Sequence, residues 1–586
     1  MTSGPGSGAS TTAHHAGTGP AAGAAGSAAD DPRGDLLWGT TGGLLEAAAR
    51  RWPEAEAVVD GELRLSYREL DAEVTEAARG FLAAGLRRGD RVAIWAPNSA
   101  RWIIAALGLQ RAGGVLVPLN TRFQGAEAAF VLGKSESRML CTVTEFLGRD
   151  YPASLAGASL PALERVITLD DGRRAGLTSW AEFLAGGEVV TPREAAARAA
   201  AIGPDDLSDM LFTSGTTGHP KGAMCTHGQT LRAYAVWTNV VGLRSGDRYL
   251  IVNPFFHGFG YKAGWLASLM AGATILPERT LGVPHMLGVV RRERVTVLPG
   301  TPALYQTMLE HPEFSADGVA SLRLAVTGAA SVPPSLLYRI KAELGFEHIV
   351  SGYGLTESCA IVSMCRYDDP LEDVVATAGR PLPGLEVRIA GPDGEPTAPG
   401  AAGEILVRGY TVMKGYFHEE SETAATIDAD GWLHTGDVGM LDESGRLAIT
   451  DRITDMYIVG GFNAYPAEIE RVLSRHPAVA QVAVIGVPDP RLGEVGAAFV
   501  VPRRDARADE AEIIAWSRAR LANYKVPRSV HLVAALPVNA AGKVVKTELR
   551  ERLRDELRRR SRGGGRRGSR SASERPRHHQ RELSLP

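Results

Sequence analysis

The densest chemistry in this sequence lies in ten residues, Thr213-Ser214-Gly215-Thr216-Thr217-Gly218-His219-Pro220-Lys221-Gly222. Glycines let backbone N–H groups come close to phosphate oxygens, hydroxyls donate hydrogen bonds, and Lys221 adds positive charge. That combination predicts a polyphosphate cradle, set after the apolar, strand-like Met210-Leu211-Phe212. It is not the P-loop, because Pro220 stands where that motif needs its second glycine. Further along, Tyr353-Gly354-Leu355-Thr356-Glu357 gathers a ring, a hydroxyl and a carboxylate. Thr435-Gly436-Asp437 places an acid after the strand-like Trp432-Leu433-His434. Near the end, Pro537 to Lys546 sets Lys543 directly behind a glycine.

Such residues need a frame. Asp60-Gly61 between two short apolar runs predicts a hairpin turn. Tyr67 to Leu86 has helical periodicity, Arg91 to Ala96 reads as a buried strand, Ala100 to Arg111 as a helix and Gly114 to Leu119 as a strand. The alternation, repeated at Val295–Leu298, Leu322–Thr327 and His348–Ser351, predicts α/β layers around mostly parallel strands. After Gly384, short strands at Glu386–Ile389 and Glu404–Val407 predict a small β subdomain. From Thr454, helices at Pro466–Ser474 and Asp509–Leu521 and strands at Val479–Ile485, Gly496–Val501 and Val530–Leu532 predict a compact α+β domain. The expected fold class is therefore α/β, a large N-terminal domain of layered subdomains followed by a small C-terminal domain. The expected boundaries are 1–35 disordered, 36–453, 454–556, and a disordered Arg-rich tail at 557–586.

From Leu65 to Leu553 these motifs, in this order, resemble the adenylate-forming superfamily of acyl- and aryl-CoA synthetases, peptide-synthetase adenylation domains and beetle luciferases. The resemblance implies that Thr213, Ser214, Gly215, Thr216, Thr217, Gly218 and Lys221 bind the phosphates of ATP. It implies that Tyr353 stacks on adenine beside Gly354, that Thr356 contacts phosphate, and that Glu357 and Thr216 hold Mg²⁺, a hard ion that prefers carboxylate and phosphate oxygens. Gly328-Ala329-Ala330 would line the adenine and acyl sites. Asp437 would bind the ribose hydroxyls, and Arg452 ribose and phosphate. Lys543 would bridge the carboxylate and α-phosphate, where one anion attacks another and a cation is needed; Lys546 and Lys525 read as surface lysines.

The same resemblance implies two half-reactions, acyl-adenylate formation and then thiol attack, run by rotation of a mobile C-terminal domain about a hinge. By position the hinge is Thr454, where the family usually has Asp or Lys. Rotation would withdraw Lys543 and present Ile458 to Phe462, with Gly460 and Gly461 passing the pantetheine arm of coenzyme A. Phe255 to Gly260 resembles the substrate-pocket motif, with His257 as its gate. It lacks the Asp that amino-acid-activating members use, so an acid without an α-amino group is expected, and no carrier segment follows, so free CoA is the expected acceptor. Lys262, in an otherwise apolar helix, reads either as a snorkelling lysine or as a donor to a polar oxygen on the acyl part. Phe256–Gly264 and Asp455–Pro466 are similar to the actinobacterial acyl-CoA ligases of sterol-ring degradation, which implies a bicyclic indanedione-propanoate. The alternatives are a fatty or aromatic acid, or delivery of the acyl group to a carrier protein.

Bulk properties fit a globular enzyme. Of the 586 residues 44% are hydrophobic and 22% charged, and no apolar run approaches the roughly 20 residues of a membrane span. Cys141, Cys225, Cys359 and Cys365 form no CxxC pair, which predicts a reducing cytoplasm. The net charge is -3, yet Leu557–Pro586 holds ten Arg and two Glu. No aromatic is interleaved there, so nucleic acid is not an expected partner. The oligomeric state is left open, a homodimer included.

Overall fold

The computed structural model describes residues 31–172, 174–214, 220–280, 282–328, 334–452, 455–459, 462–489, 491–504, 506–521, 523–539 and 544–563. Two sheets of this region meet across a shared core. One runs Pro220–Thr226, Leu207–Ser214, Val115–Pro118, Arg91–Trp95, Met139–Thr142, Arg165–Thr168, Thr178–Ser179. Its strands are parallel except the pair Leu207–Ser214 and Pro220–Thr226. The other has nine described strands, with Arg248–Ile251, Val297–Gly300, Leu324–Gly328 and His348–Tyr353 side by side and parallel. Runs of Val, Ile and Leu buried on both faces suit strands covered by helices.

The helix Ala100–Arg111 starts on a Ser99 side-chain cap and is buried from Trp102 through Gln110. A helix apolar all round belongs in a core, and this one packs on strands of both sheets and on the helix Tyr67–Ala83. Beyond it, Glu386–Ala390, Gly403–Arg408, Leu433–Leu441 and Leu447–Arg452 form an antiparallel sheet. Residues from Tyr457 build a separate sheet, Phe462–Ala464, Tyr457–Val459, Gly493–Pro502, Val479–Asp489, with Ser529–Leu532 on Gly493–Pro502. This unit has its own core around Tyr457, Ile469, Val484 and Val500.

Two expected edges shift. A helix already spans Gly34–Trp38, and Asp31 is ion-paired with Arg232, so structure begins ahead of the expected boundary at 36. At the other end the helix Lys546–Gly563 runs past 557. Arginine is a good helix former, and buried Leu549 and Leu553 anchor the earlier turns.

His227, next after the strand Pro220–Thr226, is buried against the backbone N–H of Thr41. Burial pushes its pKa down to about 4. The unfolded chain therefore takes up the proton first as pH falls. Stability from this residue is full above pH 6.5 and declines toward pH 4. We expect a loss of about 3 kcal/mol across that window, and a flatter profile for His227→Gln, read from denaturation midpoints against pH.

Candidate active site

The antiparallel pair Leu207–Ser214 and Pro220–Thr226 sets Thr213 opposite Lys221 and Ser214 opposite Pro220, so the segment 215–219 joins the two strand ends. Gly215, Thr216, Thr217 and Gly218 lie outside the described residues, and of Ser214 only the backbone is described. Thr213 Oγ1 is 3.4 Å from Glu357 Oε1, and the Tyr416 hydroxyl donates to the same oxygen at 2.7 Å. Two residues 144 apart in sequence thus meet near the end of the strand Leu207–Ser214. A hydroxyl and a carboxylate offer the oxygen donors a hard cation takes, so the described residues fit Mg²⁺.

Lys221 is buried, ion-paired with Glu422 and set 5.2 Å over the Tyr416 ring. Backbone bonds fix that neighbourhood: Lys414 N donates to Met224 O and Phe417 N to Gly222 O, each at 2.9 Å. Tyr416 and Glu422 carried no motif, and only the fold brings them here.

The Tyr353 hydroxyl donates to Asp437 Oδ2 at 2.6 Å, joining the expected adenine and ribose residues. Asp437 does not follow its strand but stands inside it, in Leu433–Leu441, opposite Arg452. Gly436 has φ +68°, a conformation that favours glycine, and the Thr435 hydroxyl accepts from Asp437 N at 3.1 Å. Of Arg452 only the backbone is described. Gly328 ends its strand opposite Gly352, beside Tyr353 and Gly354. Thr356 opens the short helical turn Thr356–Ser358 that carries Glu357. Ala329, Ala330, Thr454, Gly460, Gly461 and Lys543 lie outside the described residues. Lys525 and Lys546, expected as surface lysines, are instead largely buried and ion-paired, with Glu468 at 2.7 Å and Glu470 at 3.0 Å.

His257 is half-buried, its ring 4.7 Å from that of Phe256, and its carbonyl accepts from Tyr261 N at 2.9 Å. Asn98 holds this segment by accepting from Phe255 N at 2.8 Å. Lys262 then enters a π-helix, Tyr261–Leu266, and it neither snorkels nor reaches solvent. Its Nζ lies 2.9 Å from Asp209 Oδ1, with both side chains 0% exposed. It also donates to Cys359 Sγ at 3.4 Å. Ser208 donates to Asp209 Oδ2 at 2.6 Å, and the Tyr261 hydroxyl lies 3.5 Å from it. Burial is the largest influence and works against the lysine charge, but Asp209, joined by Cys225, Cys359 and Tyr261, together outweighs it and holds the Lys262 pKa above its usual value. A hydrogen bond with the free Cys225 thiol and, after it, the nearby Lys262 charge draw the Cys359 pKa down. The lysine was conspicuous in sequence; its partner, in the polar run Asp205 to Asp209, was not.

A family profile described as "AMP-binding enzyme" matches residues 45–417, and one described as "AMP-binding enzyme C-terminal domain" matches 468–543. A 3-[(3aS,4S,7aS)-7a-methyl-1,5-dioxo-octahydro-1H-inden-4-yl]propanoyl:CoA ligase of Rhodococcus jostii (strain RHA1) is 47% identical over 87% of this chain and 98% of its own length. A ligase with the same name from Mycobacterium tuberculosis (strain ATCC 25618 / H37Rv) is 48% identical over the same shares. The crystal structure of ATP-bound MatB from Rhodopseudomonas palustris superposes with a TM-score of 0.77, at 29% identity over 88% of this chain and 99% of that one.

Proposed function

This chain belongs to the AMP-binding enzyme family, and on that premise we propose that it activates a propanoate carried on a bicyclic diketone. The coarser activity is that of an ATP-dependent, AMP-forming acyl-CoA ligase. A carboxylate oxygen attacks the α-phosphorus of ATP and pyrophosphate leaves. The CoA thiolate then attacks the acyl carbonyl and AMP leaves. ATP, Mg²⁺ and CoA are its co-reactants. No described helix is long and apolar enough to cross a membrane, and the proposed setting is the cytoplasm.

In this reading the cradle between Thr213 and Lys221 orients the phosphates, while Tyr353 and Asp437 hold the nucleoside. Glu357, with Thr213 beside it, is where Mg²⁺ would sit, and the ion would neutralise phosphate charge. Lys543 stabilises the charge of the first attack, and Arg452 and Thr454 lead into the C-terminal unit that exchanges it for Gly460 and Gly461. His257 borders the acid. For Lys221, ion-paired with Glu422, phosphate would replace that partner.

The observation that carries the substrate reading is near-complete alignment, at 47–48% identity, with ligases named for the bicyclic dioxo-propanoate. The absence of an ammonium-pairing Asp in Phe255–Gly260 agrees with it. The test is kcat/KM for acyl-CoA formation across bicyclic dioxo, aromatic and straight-chain acids. We expect the bicyclic acid to lead by about 10-fold or more. Equal or better turnover of a plain fatty acid would refute the substrate and leave the ligase activity standing.

A further inference from the structure

A charge pair sealed from water is costly unless its surroundings hold it closely. Asp209 and Lys262 are such a pair, and three site elements converge on them. Asp209 lies on the strand Leu207–Ser214 that ends in the phosphate cradle. Lys262 follows Phe255–Gly260 in a π-helix, a distortion frequent at functional sites. Cys359, whose sulfur accepts from Lys262 as well, is two residues from Glu357.

The turn after Glu357 is strained. Cys359 and Ala360 take φ of +57° and +67°, consecutive left-handed conformations that L residues avoid. Contacts on Cys359 hold it there. Tyr234 Oη donates to its carbonyl at 3.1 Å, Thr230 Oγ1 lies 3.5 Å from its sulfur, and Lys262 Nζ donates to that sulfur at 3.4 Å. The turn also presses on the His257 segment. A Cβ at Gly258 would fall 2.4 Å from Ala360 Cβ, so neither side has slack.

We infer that Lys262 and Asp209 are positioning residues for acid selectivity: the buried pair fixes the spacing between the Phe255–Gly260 segment and the Thr356–Ala360 turn, and so the shape of the wall against which the acyl group lies. This rests on the ligase reading above. Lys262 acts on the wall and not on the acid, since its charge is met by Asp209. A rigid bicyclic acid needs a wall of fixed shape, whereas a flexible chain can adapt to a loosened one.

The test uses the full chain and three variants. Cys359→Ala removes the sulfur contact and keeps the ion pair. Lys262→Arg keeps the charge and changes its geometry. Asp209→Leu with Lys262→Met removes both charges together. For each, kcat and KM are measured for ATP, for the parent's preferred rigid acid and for a straight-chain acid. In the double variant we expect KM for the rigid acid to rise about 10-fold, kcat and the KM for ATP to change by less than about threefold, and the rigid-to-flexible ratio of kcat/KM to fall about 10-fold. Cys359→Ala and Lys262→Arg should move the same quantities by about threefold. Parent-like acid KM and selectivity in those two variants would overturn the inference, whether or not the double variant folds. So would an equal rise of both KM values, the mark of general loosening. If the parent rejects bicyclic acids altogether, the substrate reading fails, and the ratio is taken between the acids it does use.

Discussion

Lys543→Ala should lower the adenylation half-reaction by at least about 10²–10³-fold, the usual loss when one donor to a developing charge is removed. The same variant, given synthetic acyl-adenylate and CoA, should make acyl-CoA at a rate within about threefold of the parent. The asymmetry follows from chemistry. In the first step an anionic carboxylate approaches an anionic triphosphate, and without a cation the charges repel. In the second, a thiolate attacks a carbonyl already activated by AMP, and the proposed exchange has by then withdrawn Lys543. Pyrophosphate exchange measures the first half and thioester formation from acyl-adenylate the second. Equal losses in both would assign Lys543 to the fold or to CoA binding.

The second large effect concerns stability. Lys262→Met alone strands the Asp209 carboxylate in a site that is 0% exposed. Breaking a buried pair by removing one partner costs about 3–5 kcal/mol, far more than removing both together. The denaturation midpoint of the large domain should therefore drop in Lys262→Met and recover most of the way when Asp209→Leu is added. A single variant as stable as the parent would mean that Asp209 is neutral or reached by water.

Much of the frame was legible because its signals are local. Ala100–Arg111 was expected and found as a helix with the same limits, since its Ser99 cap and unbroken apolar run leave little choice. The strands at Arg91, His348 and Gly403 follow from short Val-, Ile- and Leu-rich runs closed by turn residues. The site motifs are local too: cradle, Tyr353–Glu357 turn and Asp437 segment can each be read without knowing the others. Partnerships made by tertiary structure were not legible. Nothing near Glu357 announces Tyr416, 59 residues away, and nothing near Lys221 announces Glu422. Asp209 and Lys262 meet across the core from a strand and a π-helix, and the π turn has no period that a helical pattern would betray. The strand before Asp437 was expected to end at His434 because Thr435 and Gly436 resemble a strand end; the glycine's left-handed φ makes an irregularity through which the strand continues to Leu441. The last helix outruns its expected end because composition alone does not distinguish an arginine-rich helix from coil.

In the proposed reaction the carboxylate itself attacks the α-phosphorus of ATP. The most direct test supplies the acid with ¹⁸O in both carboxylate oxygens, together with ATP, Mg²⁺ and CoA, and locates the label by mass spectrometry. An acyl-adenylate route places one ¹⁸O in AMP for each acyl-CoA formed, because the bridging oxygen leaves with the phosphate. Label in inorganic phosphate with ADP as product, or AMP formed without label, would contradict the account.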